Sequence, residues 1–171
     1  MKMPPVIHIV GRRNAGKTTL VCELISALSA RGFRVGSVKH THHHHELDTP
    51  GKDSHRHRTA GAAAVGILSP QMTAMFIPGD RQAAGDDRYA AFAPMFMTCD
   101  IVIVEGDLQS RATRLEVWRR EISERPYAAQ DSAITAVISD DPVEGVSCPV
   151  WRRTPVDGIA GQLLAVAGLN H

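Results

Sequence analysis

The stretch that most restricts this chain is Val6-Ile7-His8-Ile9-Val10 followed by Gly11-Arg12-Arg13-Asn14-Ala15-Gly16-Lys17-Thr18-Thr19-Leu20. The apolar run reads as a buried strand. Gly11-x-x-x-x-Gly16-Lys17-Thr18 behind it has the spacing of a phosphate-binding loop that opens a helix. Two glycines let the backbone curl so that successive N–H groups face one anion, and the helix start adds partial positive charge. In this pattern Gly11, Asn14, Ala15, Gly16, Lys17, Thr18 and Thr19 surround the phosphates. Lys17 reaches the β- and γ-phosphates, and the Thr18 hydroxyl holds Mg²⁺. A nucleoside triphosphate with Mg²⁺ is the ligand class implied.

Such a start predicts an α/β chain. Leu20, Val21, Leu24, Ile25 and Leu28 recur at helical spacing, which predicts a helix from Lys17 to Arg31 closed by Gly32 at C′. Residues 33–38 read as a second strand, so the unit is βαβ and the strand pair parallel. Ile101-Val102-Ile103-Val104 reads as a central strand buried on both faces. Residues 113–119 alternate, Leu115 and Val117 against Arg114 and Glu116, and read as half-buried. Further strands are expected over 134–138 and 146–151. A short helix capped by Asp53 or Ser54 is expected to end near Gly61, and two short strands joined at Pro70-Gln71 make a β excursion around 62–78. Residues 79–87 and 122–130 read as loop, and Pro94 is expected to break a helix over 89–97. Thr154, Pro155 and Asp157 look like the cap, N1 and N3 of a final helix. The fold class expected is a P-loop NTPase-type three-layer sandwich with a mostly parallel central sheet and a β-hairpin excursion, one domain over 1–171.

A net charge of +1 argues against a dedicated nucleic-acid binder. Cys22, Cys99 and Cys148 have no C-x-x-C spacing and fit reduced thiols. With no membrane-length apolar run and no signal-peptide pattern, a cytoplasmic protein is expected.

Glu105 ends the 101–104 strand, where a Walker-B-like acid would bind Mg²⁺ directly or through water; the alternative is a solvent-facing acid at a strand end. Asp107, past Gly106, is the weaker candidate. Lys39-His40-Thr41-His42-His43-His44-His45 follows the second strand at its carboxyl end, where α/β sheets bind ligands. His40 and His42 have period-two spacing and would face an anion together, whereas His44 and His45 read as solvated. Imidazoles suit Zn²⁺ or Ni²⁺, yet no fixed ligand spacing is evident. His8 reads as a core or sheet-face histidine. Arg12 and Arg13 either screen phosphate charge or are solvated. Asp140 stands where a carboxylate would accept from guanine N1–H and N2–H₂. The Asn-Lys-x-Asp tetrapeptide is absent, and a plain turn acid before Pro142 is the competing reading. No water-positioning glutamine is evident, so efficient hydrolysis is not indicated.

These residues together resemble the MobB family, GTP-binding adaptors of molybdopterin-guanine dinucleotide biosynthesis. The resemblance rests on the loop Gly11–Leu20, Gly36-Ser37-Val38-Lys39-His40-Thr41-His42-His43, Gly51-Lys52-Asp53-Ser54, Ala60-Gly61-Ala62, Val104-Glu105-Gly106, Leu115-Glu116-Val117-Trp118-Arg119-Arg120-Glu121 and Ile138-Ser139-Asp140. It implies a homodimer that binds GTP and Mg²⁺, hydrolyses GTP slowly at most, and assists the MobA-type guanylyltransferase and other molybdenum cofactor proteins. It also implies that Lys39, His40, His42, Lys52, Asp53 and Ser54 lie around a nucleotide or cofactor pocket, with molybdopterin as a bound ligand. Asp140 gains weight as the guanine reader. One departure is visible: the family commonly follows Val-Glu-Gly with an aromatic and a lysine, where this chain has Asp107-Leu108-Gln109. An ATP-dependent small-molecule kinase, a His-rich metallochaperone GTPase and an interaction module with a vestigial nucleotide site are the rival readings.

Overall fold

Short β-branched runs separated by turns favour strands, and the connections between them here are long enough for parallel crossovers. The computed structural model describes residues 3–41, 46–79 and 85–169. The chain divides into two compact units, residues 1–41 with 85–171, and residues 42–84.

The larger unit is built on a six-stranded sheet of order β2-β5-β1-β6-β7-β8. Its strands are β1 (Val6–Val10), β2 (Val35–Lys39), β5 (Ile101–Glu105), β6 (Thr113–Val117), β7 (Ala136–Ile138) and β8 (Val150–Trp151). Every pairing in it is parallel. All six carboxyl ends therefore meet at one edge, and any side chain that follows a strand is delivered there.

Register partners share a face. Ile7, Ile9, Ile101, Ile103, Leu115 and Ile138 form one core with Leu20, Leu24 and Leu28 of α1 (Lys17–Ala30) and with Ile159 and Leu163 of α4 (Val156–Val166). On the opposite face Val102 and Val104 pack on Tyr89 of a 3₁₀ helix, Gly85–Phe92, and on Phe92 and Phe96. Val137 packs there with Trp118, Ala128 and Ile134. Residues 101–104 of β5 are 0% exposed, as expected for a strand covered on both faces. Each such side chain contributes about 1.5–3 kcal/mol on burial.

Helix α1 ends at Ala30 in a Schellman arrangement. Phe33 N–H donates to Leu28 O, Gly32 N–H donates to Ser29 O, and Gly32 sits at φ +87. The break at Pro94 is present as the passage from the 3₁₀ helix to α3 (Ala93–Phe96), with the proline in its first turn.

Several local expectations are corrected. Strand β6 is buried on both faces, because its charged side chains find partners inside the protein. Arg114 pairs with Asp131 at 2.7 Å, and the Glu116 carboxylate accepts the Tyr127 and Ala128 N–H groups at 2.7 and 2.8 Å. Alternation in sequence therefore marked a polar face that the fold covers. Pro155, not Thr154, occupies the N-cap of α4, and the Thr154 side chain is turned to Asp140 instead. The last strand contracts from 146–151 to Val150–Trp151.

The smaller unit holds α2 (Asp53–Thr59) and an antiparallel hairpin of β3 (Val65–Leu68) and β4 (Thr73–Phe76). Lys52 is the N-cap of α2 and no side chain caps it, so Asp53 and Ser54 stand inside the helix rather than before it. Residues 42–45 and 80–84, which include His42, lie outside the described residues. Among the described residues no helix is long and apolar enough to cross a membrane.

Candidate functional site

Between β1 and α1 the chain takes three left-handed turns, at Gly11 (φ +143), Asn14 (φ +65) and Gly16 (φ +94). Gly11 has no alternative residue. A Cβ on it would lie 2.4 Å from the Val117 carbonyl oxygen at the end of β6, so the loop leaves the sheet in backbone-to-backbone contact. No side chain caps the start of α1, and its first turn has no acidic residue. The first-turn N–H groups thus have no side-chain acceptor and the helix dipole stands behind them, which favours an anion. Lys17 folds back over the loop, its ammonium donating to the Arg12 carbonyl at 2.7 Å. Burial lowers the Lys17 pKa, Glu105 works against that and Lys39 adds to it. Arg12 lies over the Tyr127 ring, 4.7 Å from its centroid.

Glu105 closes the arrangement. Its Oε1 accepts the Thr18 hydroxyl at 2.7 Å and the Lys39 ammonium at 3.2 Å, Lys39 being its register partner on β2. A helix start with no side-chain cap, a lysine, a hydroxyl and a carboxylate are the set that a magnesium–triphosphate needs. Thr18 and Glu105 would hold the cation, and loop N–H groups with Lys17 the phosphates. Bound Mg²⁺ would neutralise phosphate charge.

Behind this point the chain beyond Glu105 is locked by a buried polar network. Gly106 (φ +97) and Asp107 (φ +63) turn the backbone inward. The Asp107 carboxylate accepts the Tyr89 hydroxyl at 2.8 Å and the Arg88 guanidinium at 2.9 Å. Burial would raise the Asp107 pKa, but the Tyr89 bond and the neighbouring His40, Arg88 and His8 reverse this and lower it. Tyr89 is pushed up by burial and by Asp107. His8, fully buried on β1, meets the Gly106 carbonyl through Nδ1 and the Ser110 hydroxyl through Nε2, both at 3.1 Å. A carbonyl only accepts, so Nδ1 carries the proton and the neutral ring's Nε2 accepts from Ser110.

Burial lowers the His8 pKa from its ordinary 6.5; the Gly106 carbonyl, Asp107 and Asp86 oppose this, and His40 assists it. A histidine with a lowered folded pKa favours the native state fully above its unfolded pKa. That stability is lost as pH falls from about 6.5 toward the folded value. Thermal midpoints taken from about pH 7.5 to about pH 5.5 are expected to fall less steeply in His8→Gln than in the unsubstituted protein. Equal slopes would remove His8 from the acid response.

A second opening, about 470 Å³, runs from Ala15, Gly16 and Thr19 to Asp140 and Thr154 along the same sheet edge. Asp140 is exposed, and its Oδ1 and Oδ2 accept the Thr154 N–H and hydroxyl at 3.1 and 2.8 Å. Arg153 forms an ion pair with Glu23 of α1.

Residues 6–140 match the family model "Molybdopterin guanine dinucleotide synthesis protein B". The chain belongs to the MobB family. It is 35% identical over 159 residues to the molybdopterin-guanine dinucleotide biosynthesis adapter protein of Escherichia coli K12, covering 92% of this chain and 90% of that one. The adapter protein of the same name from Haemophilus influenzae is 33% identical over 140 residues, covering 82% and 77%. Among solved structures, a MobB homologue from Bacillus stearothermophilus superposes with TM-score 0.68 at 28% identity, over 95% of this chain and 97% of that one. A crystal structure of molybdopterin-guanine biosynthesis protein B gives 0.71 at 29%, over 94% and 99%. The P-loop-type α/β sandwich is thus the MobB fold.

In this MobB-family chain the structure gathers Gly11, Asn14, Ala15, Gly16, Lys17, Thr18, Thr19, Lys39 and Glu105 at the carboxyl edge of β1, β2 and β5. His40, the next residue along, places its Nδ1 3.3 Å from the Tyr89 hydroxyl and so belongs to the buried network. Lys52, Asp53 and Ser54 belong to the smaller unit. There Ser54 donates to Asp48 at 2.9 Å, and Asp53 lies 3.7 Å from Arg56. No group of three metal-ligating side chains occurs among the described residues. Sequence reading missed Tyr89, Arg88, Glu23, Arg153 and Thr154 as site-shaping residues. Their contacts reach across 18 to 130 positions, except Thr154, whose place before Pro155 marks it as a helix cap.

Proposed function

We propose that this protein is a GTP- and Mg²⁺-binding adaptor in molybdopterin-guanine dinucleotide synthesis. It would act beside a MobA-type guanylyltransferase and hydrolyse GTP slowly at most. The reading rests on one observation above others: Thr18, bonded to Glu105, and Lys17 directly follow Ala15 and Gly16, which line the cleft that reaches Asp140. That arrangement suits a triphosphate at one end and a base at the other. Family membership supports the pathway, since the relatives with the greatest coverage are named as adapters in it. Molybdopterin is assigned as a further ligand on the same family ground.

A homodimer belongs to this reading. The β3–β4 hairpin leaves Leu68 86% and Met72 71% exposed. A two-stranded sheet with open edges and bare apolar side chains gains by joining a second copy.

Calorimetric titration with GTP and with ATP, each with Mg²⁺, tests the nucleotide assignment. GTP is expected to bind at least about tenfold more tightly, and Asp140→Ala to abolish most of that preference, because an adenine has no matching donor pair. A preference for ATP, or no binding of either, would sink the assignment.

A further inference from the structure

Asp140 is an exposed aspartate at the end of a strand, yet it does not swing freely. Two hydrogen bonds from one residue hold it, the Thr154 N–H on Oδ1 at 3.1 Å and the Thr154 hydroxyl on Oδ2 at 2.8 Å, and the Arg153 N–H and the Arg152 cation also face it. The donors sit on a segment that is itself fixed. Trp151 pairs with Ile138 in the sheet, Arg153 is ion-paired to Glu23 of α1, and Val156 begins α4. The orientation of the carboxylate is thereby set by an anchored segment.

An ionised carboxylate has about four acceptor positions, two on each oxygen. The two Thr154 bonds fall one on each oxygen and leave acceptor capacity on both. Two side-by-side donors, one for each oxygen, are what the N1–H and N2–H₂ edge of guanine offers; hypoxanthine lacks the second and adenine lacks the pair. We propose that Thr154 is the specificity-positioning residue of this site, orienting Asp140 so that the acceptor capacity left on its two oxygens meets a 2-amino-6-oxopurine edge over the cleft. The inference rests on the guanine-nucleotide reading above and deepens it. Thr154 does not touch the base. It removes the rotational freedom that Asp140 would otherwise lose on binding, which is where orientation adds affinity and selectivity. It also explains why Thr154, placed by sequence to cap α4, leaves that helix without a side-chain cap.

The test titrates the full chain, with Mg²⁺ present, against GTP, ITP, ATP and inorganic triphosphate. The unsubstituted protein is compared with Thr154→Val and Thr154→Ser, and thermal midpoints confirm folding. Thr154→Val, which keeps shape and backbone N–H but lacks the hydroxyl, is expected to lower the GTP-over-ATP and GTP-over-ITP ratios by about tenfold. Its affinity for inorganic triphosphate should stay unchanged, and Thr154→Ser should restore both ratios. A role in folding alone would move triphosphate and nucleotides together, and that pattern overturns the proposal. Undiminished ratios in Thr154→Val, in a protein that does prefer GTP, overturn the positioning role and leave the guanine reading standing. An unsubstituted protein with no preference for GTP overturns both.

Discussion

Replacement of Lys17 by alanine is expected to weaken binding of magnesium–GTP by about 100-fold or more, with little change in thermal midpoint. Two kinds of effect decide the size. The ammonium is the side-chain cation of the loop pattern, and a charge-assisted hydrogen bond to an anion contributes about 1.5–3 kcal/mol, with two phosphates in reach. Since about 1.4 kcal/mol is a factor of ten, losing both contacts gives two orders of magnitude or more. Among the described residues the same ammonium donates to the Arg12 carbonyl, at 2.7 Å. Its removal also relieves a partly desolvated charge, so folding loses little. Calorimetry and a melting curve on the same sample separate the effects. Binding within about threefold of the unsubstituted protein would show that Lys17 does not meet the phosphates.

The second large effect is at Gly11. Alanine there would place Cβ 2.4 Å from the Val117 carbonyl oxygen and hold a side chain at φ +143. Backbone strain of this kind costs about 1–3 kcal/mol, and forcing apart a packed contact about 1–3 more. Val117 cannot give way cheaply, because it is buried on β6 and paired with Ile138 of β7. Gly16 provides the internal comparison. It has φ +94, but nothing lies within 4 Å of its would-be Cβ, so Gly16→Ala carries backbone strain alone. Urea unfolding is expected to rank Gly11→Ala below Gly16→Ala by roughly 1–3 kcal/mol. Equal losses would mean that the loop does not press on β6. Nucleotide binding should fall in both, since the curl of the backbone sets where its N–H groups point.

The glycine-rich loop, α1, β5 and the β3–β4 hairpin were legible in the sequence because each is dictated locally. Gly11, Gly16 and Gly32 supply conformations that other residues resist, and Ile101–Val104 has no polar position to expose. Reading failed where a residue's partner is distant. Arg114 and Glu116 suggested a solvated face of β6, and it is Asp131, the Leu108 carbonyl and the Tyr127–Ala128 backbone that offset the cost of burying them. Thr154 before Pro155 suggested a helix cap, and the competing acceptor Asp140 stands 14 positions earlier.

By itself, then, the sequence determined the local devices: a loop that curls for an anion, a helix that follows it, strands that must be buried. Glu105 could be nominated from its place after an apolar run. Its bonding to Thr18 and Lys39, residues 87 and 66 positions away, depends on β5 pairing between β1 and β2. The same holds for Asp140 with Thr154 and for His8 with Ser110. Periodicity and turn chemistry act over a few residues, whereas strand order is settled by which faces pack together. That order brings the carboxyl ends of six strands to one edge, and so turns scattered side chains into one site.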